Sequence, residues 1–119
     1  MSILAGDANC KFAIKSQGHA PAAGFANIQD GVTVDLTALR SVSLSSNNRI
    51  AHVGAGASWL DVYTYLDQHN LTVAGGRNGQ VGVGGLTIGG GISYIGPRVG
   101  WACDNVLNFE VRTIPTMRG

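Results

Sequence analysis

The stretch Gly75-Gly76-Arg77-Asn78-Gly79-Gln80-Val81-Gly82-Val83-Gly84-Gly85-Leu86-Thr87-Ile88-Gly89-Gly90-Gly91-Ile92-Ser93, followed by Gly96 and Gly100, holds more than half of the chain's 18 glycines. A glycine inside a regular helix or strand costs roughly 0.5–1 kcal/mol relative to alanine, so this composition predicts neither element here. The cost is commonly offset where backbone approaches a ligand closely, since bare amides can wrap a phosphate or lie along a flat ring. Apolar residues threaded between the glycines (Val81, Val83, Leu86, Ile88 and Ile92) predict a packed segment rather than a floppy loop. The run therefore predicts one wall of a nucleotide-cofactor site.

It carries neither of two common phosphate fingerprints. In Gly82-Val83-Gly84-Gly85-Leu86-Thr87 a threonine occupies the last position of a Gly-x-Gly-x-x-Gly pattern, and no acidic residue follows about twenty positions later. No Gly-Lys-Ser/Thr follows either, which excludes a P-loop.

Working outward, Lys11–Ser16 alternates polar and apolar residues and predicts a short strand with Phe12 and Ile14 on one face. It empties into Gln17-Gly18-His19-Ala20-Pro21, a turn that can cradle an anion with the Ser16 hydroxyl and successive amides as donors. Ala22–Gly31 is turn-rich and reads as a surface crossing. Val32–Asp35 predicts a second strand, and Leu36–Arg40 a single helical or 3₁₀ turn. Val42–Ser45 and Ile50–Val53 predict a hairpin across Ser46-Asn47-Asn48-Arg49.

The clearest helix starts at Ser58, with Asp61 three residues on and Trp59, Val62, Tyr63 and Leu66 recurring on one face; Asn70 supplies a left-handed stop. Leu71–Val73 predicts a short buried strand, Trp101–Asn105 a loop, and Val106–Ile114 a further strand closed by Pro115. The class is α+β, with sheet predominating.

Composition narrows the function. With 119 residues the chain is one domain or part of one, able to bury roughly two-thirds of its unfolded surface. Charged residues make up 13% and the net charge is +1, which gives no electrostatic footprint for nucleic acid or an anionic membrane. The apolar runs are too interrupted for a transmembrane helix, and Met1–Gly6 is too short for a signal core and lacks a basic flank. Cys10 and Cys103 are read as two partly buried thiols. Together with His19, His52 and His69 they suggest no metal site. Asp35, Asp61, Asp104 and Glu110 form no acid–base pair by spacing, and no Gly-x-Ser-x-Gly elbow supports a hydrolase triad.

Two stretches at this separation, Lys11-Phe12-Ala13-Ile14-Lys15-Ser16-Gln17-Gly18-His19-Ala20-Pro21 and the glycine run, closely resemble the PCMH-type FAD-binding domain of berberine-bridge-enzyme-like oxidases, within the vanillyl-alcohol-oxidase superfamily. Asp30–Leu36 and Gly100–Val106 fit the same pattern, so the resemblance covers about residues 11–111 of what reads as a single partial domain over 1–119. It implies small mixed sheets with packed helices around FAD. Lys15, Ser16, Gln17, Gly18, His19 and Ala20 would hold the pyrophosphate, with His19 the point of covalent attachment to the flavin 8α-methyl. Val81, Gly82, Gly84, Gly85, Gly90 and Gly91 would run along the ribityl chain and isoalloxazine.

Three departures from the family pattern stand out. Gln17 replaces a usual glycine, which would distort the turn if that position needs positive φ. Asn78 stands where doubly linked members carry a second flavin-linking cysteine, and Leu86 where some have histidine. Family enzymes are also several times longer and continue into a substrate-binding domain, so the chain is read as a fragment.

The implied activity is FAD-dependent oxidation of an unknown small organic substrate, with no catalytic base assigned and no turnover expected of the isolated chain. The alternatives are a non-catalytic remnant and a glycine-rich module for another phosphate ligand. Compartment is not assigned.

Overall fold

The computed structural model describes residues 10–111. The expectations for Met1–Gly6 and for 112–119 lie outside that range.

Residue types with β preference form β1 (Phe12–Lys15) and β2 (Val32–Asp35), which pair in parallel with Phe12 opposite Val32 and Lys15 opposite Asp35. Phe12 and Ile14 share a face as the alternation requires, and that face is exposed, at 45% and 56%. The segment after β2 closes as the expected single turn, with Leu39 N–H donating to Leu36 O at 2.8 Å.

The hairpin forms as expected from β3 (Val42–Leu44) and β4 (Ala51–Val53). Asn48 takes φ 56° in its loop, a left-handed conformation that asparagine tolerates. Val42, Leu44, Ala51 and Val53 turn inward, while His52 faces outward on an exposed position.

Helix α1 (Trp59–Asp67) carries the core. Ser58 N–H donates to Asp61 Oδ2 at 2.9 Å and Asp61 N–H to Ser58 Oγ at 3.2 Å, closing a reciprocal capping box. Hydrogen bonding from the Ser58 N–H, then from its hydroxyl, holds the Asp61 carboxyl below the usual carboxylate range. Trp59, Val62 and Leu66 are buried with Ala57, and the hairpin packs against them. Asn70 stops the chain at φ 55°, the expected left-handed position.

Several expectations are corrected. Leu71–Val73 is not a strand: Leu71 N–H donates back to Leu66 O at 3.1 Å, no strand pairs with the segment among the described residues, and its apolar side chains simply cover the core. The glycine run does contain regular structure, in α2 (Val83–Ile88) and the short α3 (Gly96–Val99). Core packing of Val83 and Leu86 offsets the poor helix propensity of Gly84 and Gly85. Cys103–Asn105 is a 3₁₀ turn, and 106–111 joins no sheet among the described residues. Helix therefore outweighs strand in the described residues, because the glycine run contributes helices while Leu71–Val73 and 106–111 find no strand to pair with there. Cys10 is half-buried, whereas Cys103 is exposed; both are free thiols.

Candidate functional site

The turn after β1 is positioned by side chains that bond across the fold. Ser16 Oγ donates to Ala55 O at 2.8 Å, and Gln17 Nε2 donates to Gly56 O at 2.9 Å. Both acceptors lie between β4 and α1, so the turn is tied to the N-terminal approach of the core helix. Gly18 takes φ +71°. Gln17 is not among the residues with positive φ, so the distortion expected from its Cβ does not arise; the left-handed step falls one residue later. The backbone N–H groups of Gln17, Gly18, His19 and Ala20 find no backbone acceptor among the described residues. Gly18, His19 and Ala20 are exposed.

The glycine run meets this turn at Gly82. A Cβ there would lie 2.5 Å from Ser16 Oγ and 2.9 Å from the Gln17 backbone nitrogen, so only glycine lets the segments touch. On its other side the run serves α1, whose first amides need acceptors. Trp59 N–H donates to Val81 O at 3.0 Å and Leu60 N–H to Gly79 O at 2.8 Å, while Val83 N–H returns a bond to Ala57 O at 2.9 Å.

The glycines then divide by what surrounds them. Gly75 and Gly76 lie against the Trp59 ring, where added Cβ atoms would come within 2.1 and 2.5 Å of ring carbons. Gly76 O also accepts the Tyr63 hydroxyl at 2.9 Å, and burial pushes that phenol's pKa up. These two serve internal packing, which corrects the reading of the whole run as a ligand wall. Gly84 abuts Ala55 O, and Gly90 and Gly91, at φ +96° and +80°, pack on Trp101 and on Leu86 and Ala102. At Gly85 a Cβ would meet nothing within 4 Å.

Beside the turn, Lys15 Nζ and Asp35 Oδ2 pair at 2.8 Å. The Lys15 ammonium, together with the Thr37 N–H, holds the Asp35 carboxyl well below the usual range. This pair, Thr33 and Gly18 line an open cleft of about 630 Å³ together with Ala20–Gly24, Ala26 and Asn27.

The structure thus brings Ser16 and Gln17 together with Gly82, with Gly84 on the adjoining Ala55. Gly90 and Gly91 lie beyond the far end of α2, and Val81 faces the core periphery. Reading the sequence missed the Gly54-Ala55-Gly56 segment as the turn's anchor. Its signal was two glycines flanking an alanine before a helix cap, where Gly56 must lie against Leu36 O and Gly54 against Leu39 O. It also missed that Ala22–Gly31, read as a surface crossing, walls the cleft.

A turn with consecutive unpaired amides, a left-handed glycine and an adjoining helix start with uncovered backbone at Gly85 fits a polyphosphate and the flat group attached to it. Comparison with known proteins identifies the family. The FAD binding domain family matches residues 3–116. The chain is 52% identical over 103 residues to the FAD-dependent monooxygenase tpcD of Cochliobolus heterostrophus, covering 87% of this chain and 20% of that protein. It is 42% identical over 101 residues to the bifunctional solanapyrone synthase of Alternaria solani, covering 85% and 19%.

Among solved structures, 6-hydroxy-D-nicotine oxidase from Arthrobacter nicotinovorans superposes with a TM-score of 0.80 at 29% identity, over 87% of this chain and 22% of that one. Berberine bridge enzyme from Eschscholzia californica gives 0.76 at 27% identity, over 82% and 20%. The chain spans about a fifth of the length of these relatives. It belongs to the FAD binding domain family and has the PCMH-type fold of berberine-bridge and vanillyl-alcohol-oxidase flavoproteins.

Proposed function

We propose that this chain is the FAD-holding part of a flavin-dependent oxidoreductase that acts on a small organic substrate. The observation that carries the reading is the junction of the Ser16–Ala20 turn with Gly82, where unpaired amides adjoin glycines. In this reading the amides of Gln17–Ala20 hold the pyrophosphate, and their dipoles offset its charge where few cations stand nearby. Lys15 orients the turn's entrance through its pair with Asp35. The bare backbone at Gly85 leaves room that no other part of the described chain fills. His19 is exposed within the turn, available for attachment to the flavin. When bound, FAD supplies two-electron chemistry, taking hydride from the substrate and passing electrons to oxygen.

The test is a visible absorption spectrum of the purified chain before and after acid precipitation, beside His19→Ala. Yellow colour that stays with the precipitate, and is released into the supernatant by His19→Ala, is the expected result. A colourless protein that gains no thermal stability from added FAD would overturn the reading.

A further inference from the structure

Gln17 is the point at which three segments meet. Its side chain donates to Gly56 O at 2.9 Å, its backbone nitrogen lies against Gly82, and its own residue opens the turn whose next member is Gly18 at φ +71°. The side chain is half-buried in this contact. Gly56 is fixed in turn, since its N–H donates to Leu39 O at 2.9 Å and it leads directly into buried Ala57. The Gln17 amide therefore reaches a rigid acceptor. Because the partner is a carbonyl, only the nitrogen end of the amide can face it.

We propose that Gln17 is a positioning residue for the cofactor, holding the Gly18–Ala20 amides in a single arrangement before the ligand arrives. The inference rests on the FAD reading above and adds to it how the turn is pre-organised. Glycine at this place would enlarge the turn's conformational freedom, and ordering it would then weaken binding. A side chain latched to the α1 approach removes that freedom beforehand. Ser16 supplies a neighbouring latch to Ala55 O at 2.8 Å, but its hydroxyl is more exposed to competing water.

The test compares the wild-type chain with Gln17→Leu, which keeps bulk without the donor, and Gln17→Glu, which sets a carboxylate against the Gly56 carbonyl. Two readouts are taken, ¹⁵N relaxation of the ligand-free chain and FAD affinity by flavin fluorescence. In both variants the order parameters of Gly18, His19 and Ala20 are expected to fall from the rigid range near about 0.85 towards about 0.6. Those of Val62–Leu66 stay unchanged. FAD binding weakens about fivefold for Gln17→Leu, the effect of one ordinary hydrogen bond, and further for Gln17→Glu.

Unchanged order in the turn would overturn the proposal, as would a loss of order spread equally through α1, which would mark a general stability role. If the wild-type chain fails to bind FAD, the functional reading above falls, while the relaxation comparison still decides whether Gln17 positions the turn.

Discussion

At the scale of single residues, the glycines separate into those the fold needs and those it does not. Gly75 has no room for a Cβ beside the Trp59 ring, whereas Gly85 faces open space on a helix. Gly75→Ala is therefore expected to destabilise the chain by about 1–3 kcal/mol through overpacking. Gly85→Ala should leave stability unchanged or raise it by up to about 1 kcal/mol, since alanine is the better helix former. If Gly85 lies against the cofactor, the same Gly85→Ala change weakens FAD binding. Urea unfolding and FAD titration of the two variants check the contrast, and loss of stability in Gly85→Ala would contradict the open position. The sequence made the density of glycine plain but could not sort these cases. The sorting depends on Trp59, Leu86 and Ala102, residues brought close only by folding.

At the scale of elements, α1 was legible because its determinants are local. The capping box spans Ser58–Asp61, the apolar face repeats within the helix, and the stop lies at Asn70. Ser58→Ala should cost about 1 kcal/mol, read from the denaturant midpoint. The Asp61 carboxyl titrates below its unfolded value, so its contribution is fully present above about pH 4, the ordinary carboxylate range. It is lost as pH falls through the lowered folded value. Asp61→Asn should flatten this part of the acid limb, and an acid limb identical to wild type would contradict the cap's role. By contrast, β-type patterns at Leu71–Val73 and 106–111 were legible only as tendencies, because a strand exists when a second one pairs with it.

At the scale of the whole molecule, one cluster around Ala57, Trp59, Val62 and Leu66 joins the hairpin, α1 and the glycine run. Leu66 is 1% exposed and central to it. Leu66→Ala should remove about 2–5 kcal/mol. Since the glycine run is held by the same cluster, FAD-dependent colour should be lost at the lower denaturant midpoint along with the far-ultraviolet signal. Separate transitions for the two signals would show that the site is not built on this core. The parallel pair β1–β2 reaches the core through Ser16, Gln17 and the Leu36–Leu39 turn, and it leaves Phe12, Ile14 and Val32 exposed.

The sequence by itself determined the family, the capped helix, the hairpin and the pairing of the Ser16–Ala20 turn with the glycine run. Each is written in residues close together or in a spacing that the motif carries intact. Tertiary structure alone decided that part of the glycine run is helix and that Gly75 and Gly76 serve a tryptophan. It also decided that Gln17 stays outside the positive-φ region, with the left-handed step at Gly18, and that its side chain reaches Gly56. These outcomes depend on which surfaces meet, since a Cβ is excluded or admitted, and a side-chain donor satisfied, only by atoms distant in the chain.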